Sequence, residues 1–491
     1  MQEEAGFQRA LGPVLLWALG VGYVISGMYF GWNLGLPEGG PYGMLIATAL
    51  VSVIYVAFVL SYAELACAMP RAGGAFLYVN RALGPALGLV AGAAQCIEFI
   101  FAPPAIAAAI GAYLHTLFPA IPPLAMAAVA YLVFTGVNLR GVQASATLEL
   151  LVTVVAVGEL LLFAGVTLPR FSWEAFSREP LPKGWGGAFA SIPFAIWFYL
   201  AIEGVANTAE ETKDPQRDLV RGFGAAMATL VLLAGLTFFG AVGIAGWRAV
   251  VFPPGSHEPS DSPLPLALSA VVGRGHPLYH LLVGVGLCGL LASFHGILLV
   301  AGRATFEFGR VGYAPRWLGR LSSRQTPAAA LLCNMAIGLL ALFSGRTGEI
   351  ITVSVYGALT LYVLSMVALL RLRRTEPGLP RPFHAPGYPI TPVVALLGAL
   401  LCLGAVAWTQ PRVGLVYAAL LAGALLWFRL GVPREIRERR FEMLSPWLNG
   451  RTSLPRPRWP SCSLQTRGRS WGFYGQGRRF WSDPDDKTGR K

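Results

Sequence analysis

Long apolar stretches separated by short clusters of arginine, proline and glycine dominate this chain. The runs 44–60, 148–168 and 230–246 are almost free of charge, and each is long enough as a helix to cross about 30 Å of hydrocarbon. Reading apolar runs between polar breaks predicts twelve spans. The first six lie near 13–34, 42–68, 86–116, 122–138, 145–168 and 187–209. The second six lie near 218–247, 277–308, 327–344, 349–370, 391–409 and 412–430. The fold class expected is therefore an all-α polytopic membrane protein.

Two of these helices read as interrupted. Gly20, Gly22, Ser26 and Gly27, followed by Gly31 and Gly35, are denser in helix-weak residues than a plain membrane anchor requires. In the sixth span the apolar run 194–199 gives way to Ala201-Ile202-Glu203-Gly204, a carboxylate beside a glycine. Lipid cannot satisfy unwound backbone, so broken helices five spans apart predict an inverted-repeat transporter with its site where the breaks meet.

Composition agrees: 55% of residues are hydrophobic, 13% are charged, and the mean hydropathy is +0.57. A formal charge of +13 invites a nucleic-acid reading, but the basic residues sit in short loops and in the tail. Loops that fall on one face hold Arg71, Arg81, Arg140, Lys213, Arg217, Arg221, Arg310, Arg316, Arg320, Arg324, Arg371, Arg373, Arg374 and Arg381. The opposite loops hold half as many, so the positive-inside bias makes the first face cytoplasmic, with both termini on it. Residues 1–12 form a cytoplasmic N-terminus without a basic region or cleavage site and are expected to stay in the mature protein. The transporter domain occupies 13–430, and 431–491 read as a basic, disordered cytoplasmic tail. The six cysteines and six histidines show no disulfide or metal spacing and there is no Walker loop, so neither cofactor nor enzyme activity is expected.

Particular residues carry a resemblance. Ser61-Tyr62-Ala63-Glu64-Leu65, then Pro70-Arg71-Ala72-Gly73-Gly74-Ala75-Phe76, resemble the amino acid-polyamine-organocation superfamily over roughly residues 10–430. So do the run Ala209-Glu210-Glu211-Thr212-Lys213-Asp214-Pro215 and the run Gly309-Arg310-Val311-Gly312-Tyr313-Ala314-Pro315. Gly22-Tyr23-Val24-Ile25-Ser26-Gly27-Met28-Tyr29-Phe30-Gly31, Glu98-Phe99-Ile100-Phe101-Ala102-Pro103-Pro104 and Ile202-Glu203-Gly204 look like its ethanolamine permease branch. The resemblance implies the leucine-transporter fold: five-plus-five inverted repeats with broken first and sixth helices, and two further helices. The superfamily's Gly-Ser/Thr-Gly triplet, whose amides receive an amino acid carboxylate, aligns with Ser26-Gly27-Met28, which fits a substrate lacking a carboxylate. Ala156 stands where some proton-coupled members place a lysine.

An ammonium ion needs carbonyls, a carboxylate or an aromatic face to offset desolvation. The candidate substrate residues are Val24, Ile25, Ser26, Gly27, Glu98, Phe101, Trp197, Tyr199, Ile202 and Glu203. Intramembrane acids are costly and default to function, which adds Glu159 as a proton carrier and notes Glu149 one helical stretch earlier. Ser293 is a candidate sodium ligand, set against a hydroxyl that bonds its own helix. Glu64, Glu210, Glu211 and Arg217 are candidate gate residues at helix ends. The expectation is a secondary importer of ethanolamine or a similar small amine, open to proton coupling, with lipid as surroundings and no nucleic acid. The alternatives are an amino acid permease or exchanger, and a non-transporting amine sensor.

Overall fold

A computed structural model describes residues 10–71, 73–140 and 146–438. Ala72 of the proline-arginine motif, the first residue of the expected fifth span, most of the expected N-terminal segment and the tail beyond 438 lie outside the described residues. Nine helices among the described residues are long and apolar enough to cross a membrane, and Pro13–Val24, Pro123–Leu139 and Ala328–Leu342 are shorter apolar helices. Together they make the expected twelve spans.

The first span starts with Pro at its first helical position, where a missing N–H costs nothing. It runs as Pro13–Val24, passes through a helical Ile25 whose amide still bonds the Val21 carbonyl, continues for one turn at Ser26–Tyr29, and then breaks. Phe30 is fully extended and Gly31 takes φ +88°, after which a 3-10 turn, Trp32–Gly35, leads into Leu36–Ala68. Gly40, at φ +61°, bends that helix into the second span. Spans three to five are Pro85–Leu117, Pro123–Leu139 and Ala146–Thr167. The sixth span comprises Gly184–Ala190 and Ile192–Trp197, a left-handed Ala201 (φ +75°), and a 3-10 stretch Ile202–Glu211. Spans seven to twelve are Pro215–Ala245, Pro277–Arg310, Ala328–Leu342, Thr347–Thr375, Ile390–Thr409 and Pro411–Leu430.

The fifth span shows how sequence selects a face in lipid. Leu151, Val154, Val155, Leu161 and Leu162 are exposed, whereas Glu149, Thr153, Ala156, Leu160 and Phe163 form a buried stripe at helical spacing. Polar groups therefore turn inward and most leucines outward, the reverse of a soluble helix. The third span packs against the eighth and the tenth, the first against the fifth and seventh. Spans eleven and twelve are peripheral, with Leu397, Leu400, Leu415, Leu426 and Leu430 exposed.

The chain just before the first span pairs with the chain just after the sixth. Leu11 and Thr212 form a parallel bridge, with Ala10 and Leu11 amides donating to the Glu211 carbonyl at 3.0 Å and Lys213 donating to Leu11 at 2.9 Å. Past the twelfth span, Arg434–Arg437 form a turn of helix where the sequence suggested disorder. The cause is Ile436, which packs on the cluster of Phe76, Leu89, Tyr313, Phe428 and Val432.

Candidate functional site

The two interrupted helices touch at the residues that interrupt them. A Cβ on Gly27 would collide with the Trp197 carbonyl, and one on Gly31 with the Trp197 indole. Glycine at both positions is what lets the breaks approach so closely. Phe30 meets Trp197 edge to face at 5.4 Å, and Trp32 stacks on Phe198 at 5.8 Å. The first break thus lies at Phe30–Gly31, some residues beyond the Ser26–Gly27 position read from the sequence. Ser26–Tyr29 keeps one helical turn, and the Met28 amide donates to the Ile25 carbonyl at 2.9 Å.

Beside this crossing lie two carboxyl groups. Glu98 of the third span and Glu203 of the sixth are both 0% exposed and within hydrogen-bonding reach of each other. The Tyr362 hydroxyl of the tenth span donates to Glu203 Oε2 at 2.8 Å and lies 3.1 Å from the Tyr55 hydroxyl. Neither Glu98 carboxylate oxygen receives a donor, and Glu203 Oε1 receives none. Glu98 thus faces another carboxyl, with the Ala201 backbone amide alongside but not in a well-formed hydrogen bond. Two ionised carboxylates cannot stay together in a dry interior, so the pair requires a shared proton or a positive charge between them.

Further acceptors surround the pair. Pro103 and Pro104 lack the N–H groups that would satisfy the carbonyls of Phe99 and Ile100 within the third span. Ser354 of the tenth span donates to the Glu98 carbonyl at 2.7 Å. Tyr199 is buried against the Tyr55 ring at 5.3 Å, its hydroxyl 2.6 Å from Ser52 Oγ. The Trp197 indole N–H is buried and unpartnered.

The structure brings Ser26, Gly27, Trp197, Tyr199, Ile202, Glu98 and Glu203 into one buried region, with Val24 and Ile25 at its edge. The Ile25 carbonyl already accepts from Met28, and that of Tyr199 from Ile202 at 3.4 Å. Phe101, on the third span, is only half-buried. Ser293 bonds across helices rather than to its own: it donates to the Tyr23 carbonyl at 3.0 Å and lies 2.9 Å from Ser26 Oγ. Glu159 accepts from the Tyr29 hydroxyl at 2.8 Å, and Tyr113 donates to the Tyr29 carbonyl.

The candidate gate residues separate into different roles. Glu211 pairs with Arg303 of the eighth span at 3.0 Å, and Glu210 lies within electrostatic reach of Glu307. Glu64 is 0% exposed and held by Arg373 at 2.6 and 2.7 Å, with the Ala385 amide at 2.8 Å and Arg381 at 3.4 Å. Arg217 is exposed and makes no ion pair among the described residues, since its helix turns it outward. Sequence reasoning did not single out Tyr362, Tyr55 or Arg373. Their signal was a tyrosine in an apolar run, and an arginine counted only as loop charge.

A family model described as amino acid permease matches residues 11–427. The chain belongs to the amino acid permease family. Within it, an uncharacterized transporter of Rhizobium meliloti is 28% identical, over 89% of this chain and 95% of its own. A branched-chain amino acid permease of Bacillus subtilis is 25% identical over 87% and 93%, and an L-asparagine permease of Streptomyces coelicolor 27% over 88% and 92%. Among solved structures, a manganese transporter of Eremococcus coleocola superposes with a TM-score of 0.53 at 15% identity, covering 87% of this chain and 94% of that one. The fold is that of the leucine transporter, and the family is one of membrane permeases rather than enzymes.

Proposed function

We propose that this permease carries a small organic amine without a carboxylate, ethanolamine being the chemical prototype, by alternating access between its broken helices. The observation that carries the reading is the Glu98–Glu203 pair, two buried carboxyls with three oxygens lacking donors, placed against the crossing of the breaks. An ammonium ion supplies both the missing charge and the missing donors. The Phe99 and Ile100 carbonyls extend the acceptor set, and Trp197 and Tyr199 offer ring faces. Amides that would receive a carboxylate are scarce, because Met28 N–H is occupied and a carbonyl, that of Trp197, lies on Gly27.

The arginine-rich face is cytoplasmic in this reading, and the Glu211–Arg303 pair closes that side. Glu64 fixes the second span to the tenth instead of opening and closing. The test is uptake of labelled ethanolamine into proteoliposomes, competed by asparagine and leucine. Amino-acid-resistant uptake that Glu98→Gln weakens by ~10- to 100-fold supports the amine reading.

A second reading has its own support: the named relatives are amino acid permeases. Asparagine or leucine uptake that ethanolamine does not compete would establish it. Binding without flux for every compound would make the chain a sensor.

A further inference from the structure

We propose that Glu149, not Glu159, forms the site of the coupling cation, a proton or sodium ion, between the fifth and first spans. The inference depends on transport by this family and not on which substrate is carried.

The fifth span buries two acids, and their surroundings differ. Glu159 accepts from the Tyr29 hydroxyl at 2.8 Å, so one of its oxygens is satisfied by the protein itself. Glu149 is 7% exposed, and its Oε1 has no hydrogen-bond partner. This unpartnered oxygen is aimed at the backbone of the first span: a Cβ on Gly22 would collide with Glu149 Oε1 and would sit 3.1 Å from Thr153 Oγ1. Glycine at 22 makes the room. Thr153 in turn donates to the Ala18 carbonyl at 3.1 Å, which leaves its own lone pairs directed to the same space. A carboxylate oxygen and a hydroxyl oxygen thus converge on the first span at Gly22, one residue before Tyr23. The amine pair of Glu98 and Glu203 is elsewhere, on the third and sixth spans.

Among the described residues, no cationic side chain forms an ion pair with Glu149. The first span contributes Tyr23, which feels Glu149, Arg303 and Glu211 electrostatically. Arg303 comes from the eighth span and is in the ion pair with Glu211 at 3.0 Å. The seventh span carries no titratable side chain between Gly222 and Ala245, and the helix Pro263–Val271 carries none. On its own helix, Glu159 is nearly three turns away. A bare carboxylate in such a place repels the acceptor groups around it, so close packing of the first span on the fifth requires a cation to neutralise Glu149. Binding that cation favours the packed arrangement and losing it favours separation, which couples the ion to the helix that carries the first break.

The experiment uses the full chain in proteoliposomes and reads the steady-state ratio of internal to external substrate, with whichever of ethanolamine, asparagine and leucine the wild type exchanges. A tenfold inward gradient of protons, or in a parallel arm of sodium, is expected to raise that ratio by about tenfold in the wild type for one-to-one coupling. The arm that responds identifies the ion. Glu149→Gln is expected to bring the ratio to about one, whatever rate remains, while Glu159→Gln keeps it. A Glu149→Gln protein that still accumulates substrate, or a wild type that responds to neither gradient, overturns the proposal. Failure of the amine reading shows separately, as absent ethanolamine exchange.

Should Glu149→Gln fail to assemble, the wild type decides by reaction with dicyclohexylcarbodiimide, mapped by peptide mass spectrometry. Labelling at Glu149 that sodium suppresses, or that rises with acidity, supports the site. Labelling indifferent to both overturns it.

Discussion

Glu64 and Glu98 are both fully buried glutamates, yet their surroundings are opposites. Glu64 accepts from the Arg373 guanidinium through both oxygens and from the Ala385 amide, with Arg381 alongside. Among the described residues Glu98 makes no well-formed hydrogen bond through either oxygen and faces the carboxyl of Glu203, with only the Ala201 amide near it. A satisfied buried charge is structure, because every lone pair is accounted for before any ligand arrives. An unsatisfied one is a place kept for something else, since folding alone gains nothing from it. Burial by itself would have ranked the two equally.

The largest effect that could break this comparison is on stability. Arg373→Ala leaves Glu64 buried with one partner fewer and is expected to destabilise by about 3 kcal/mol, read as a fall in melting temperature in detergent. If the melt does not move, Glu64 is not structural. Glu98→Gln should do the reverse: ligand binding weakens by ~10- to 100-fold, while the melting temperature holds or rises because the acid pair is relieved. A marked loss of stability would place Glu98 with Glu64. Tyr362→Phe removes the one hydroxyl donated to Glu203 and should weaken binding by about fivefold, equivalent to ~1 kcal/mol, in an equilibrium binding assay. Glu211→Gln breaks a partly exposed pair and should change stability by under ~1 kcal/mol, with substrate efflux from loaded vesicles as the sharper readout.

The smallest effect concerns pH in the long connection after the seventh span. Asp261 accepts from the Thr347 hydroxyl at 2.9 Å, and burial pushes its carboxyl up to about 6. An acid with a raised folded value holds a proton that the unfolded chain releases. Its contribution is therefore full below the ordinary aspartate value and is lost as pH climbs from about 4 to about 6. Amide hydrogen exchange in residues 252–262, corrected for the intrinsic rate, should quicken across that window, and Asp261→Asn should abolish the change.

Much of this was legible in the sequence. Apolar length gave the spans, and glycine density in the first span and a carboxylate beside a glycine in the sixth marked the two helices that break, because these are local properties. The exact dislocations were less legible. The first lies at Phe30–Gly31 since Gly31 must both adopt φ +88° and clear the Trp197 indole, and the second partner of that contact is more than 160 residues away. Glu98 and Glu203 each stood out as intramembrane acids, but their meeting depends on how the third span packs on the sixth. Arg373 read as one more loop charge until the second and tenth spans were placed side by side. Glu149 and Glu159 were indistinguishable by composition, and only the Tyr29 hydroxyl on one and the Gly22 backbone against the other separate them.

The short bridge between Leu11 and Thr212 sets a limit on how this molecule can move. Three backbone hydrogen bonds, two from the Ala10 and Leu11 amides and one from the Lys213 amide, tie the near ends of the first and sixth spans together, so each end resists swinging without its counterpart. The pair acts as one lever with its fulcrum at the glycine crossing. Under the proposed alternating access, opening toward the arginine-rich face would then be a single stroke in which these two chain ends move together.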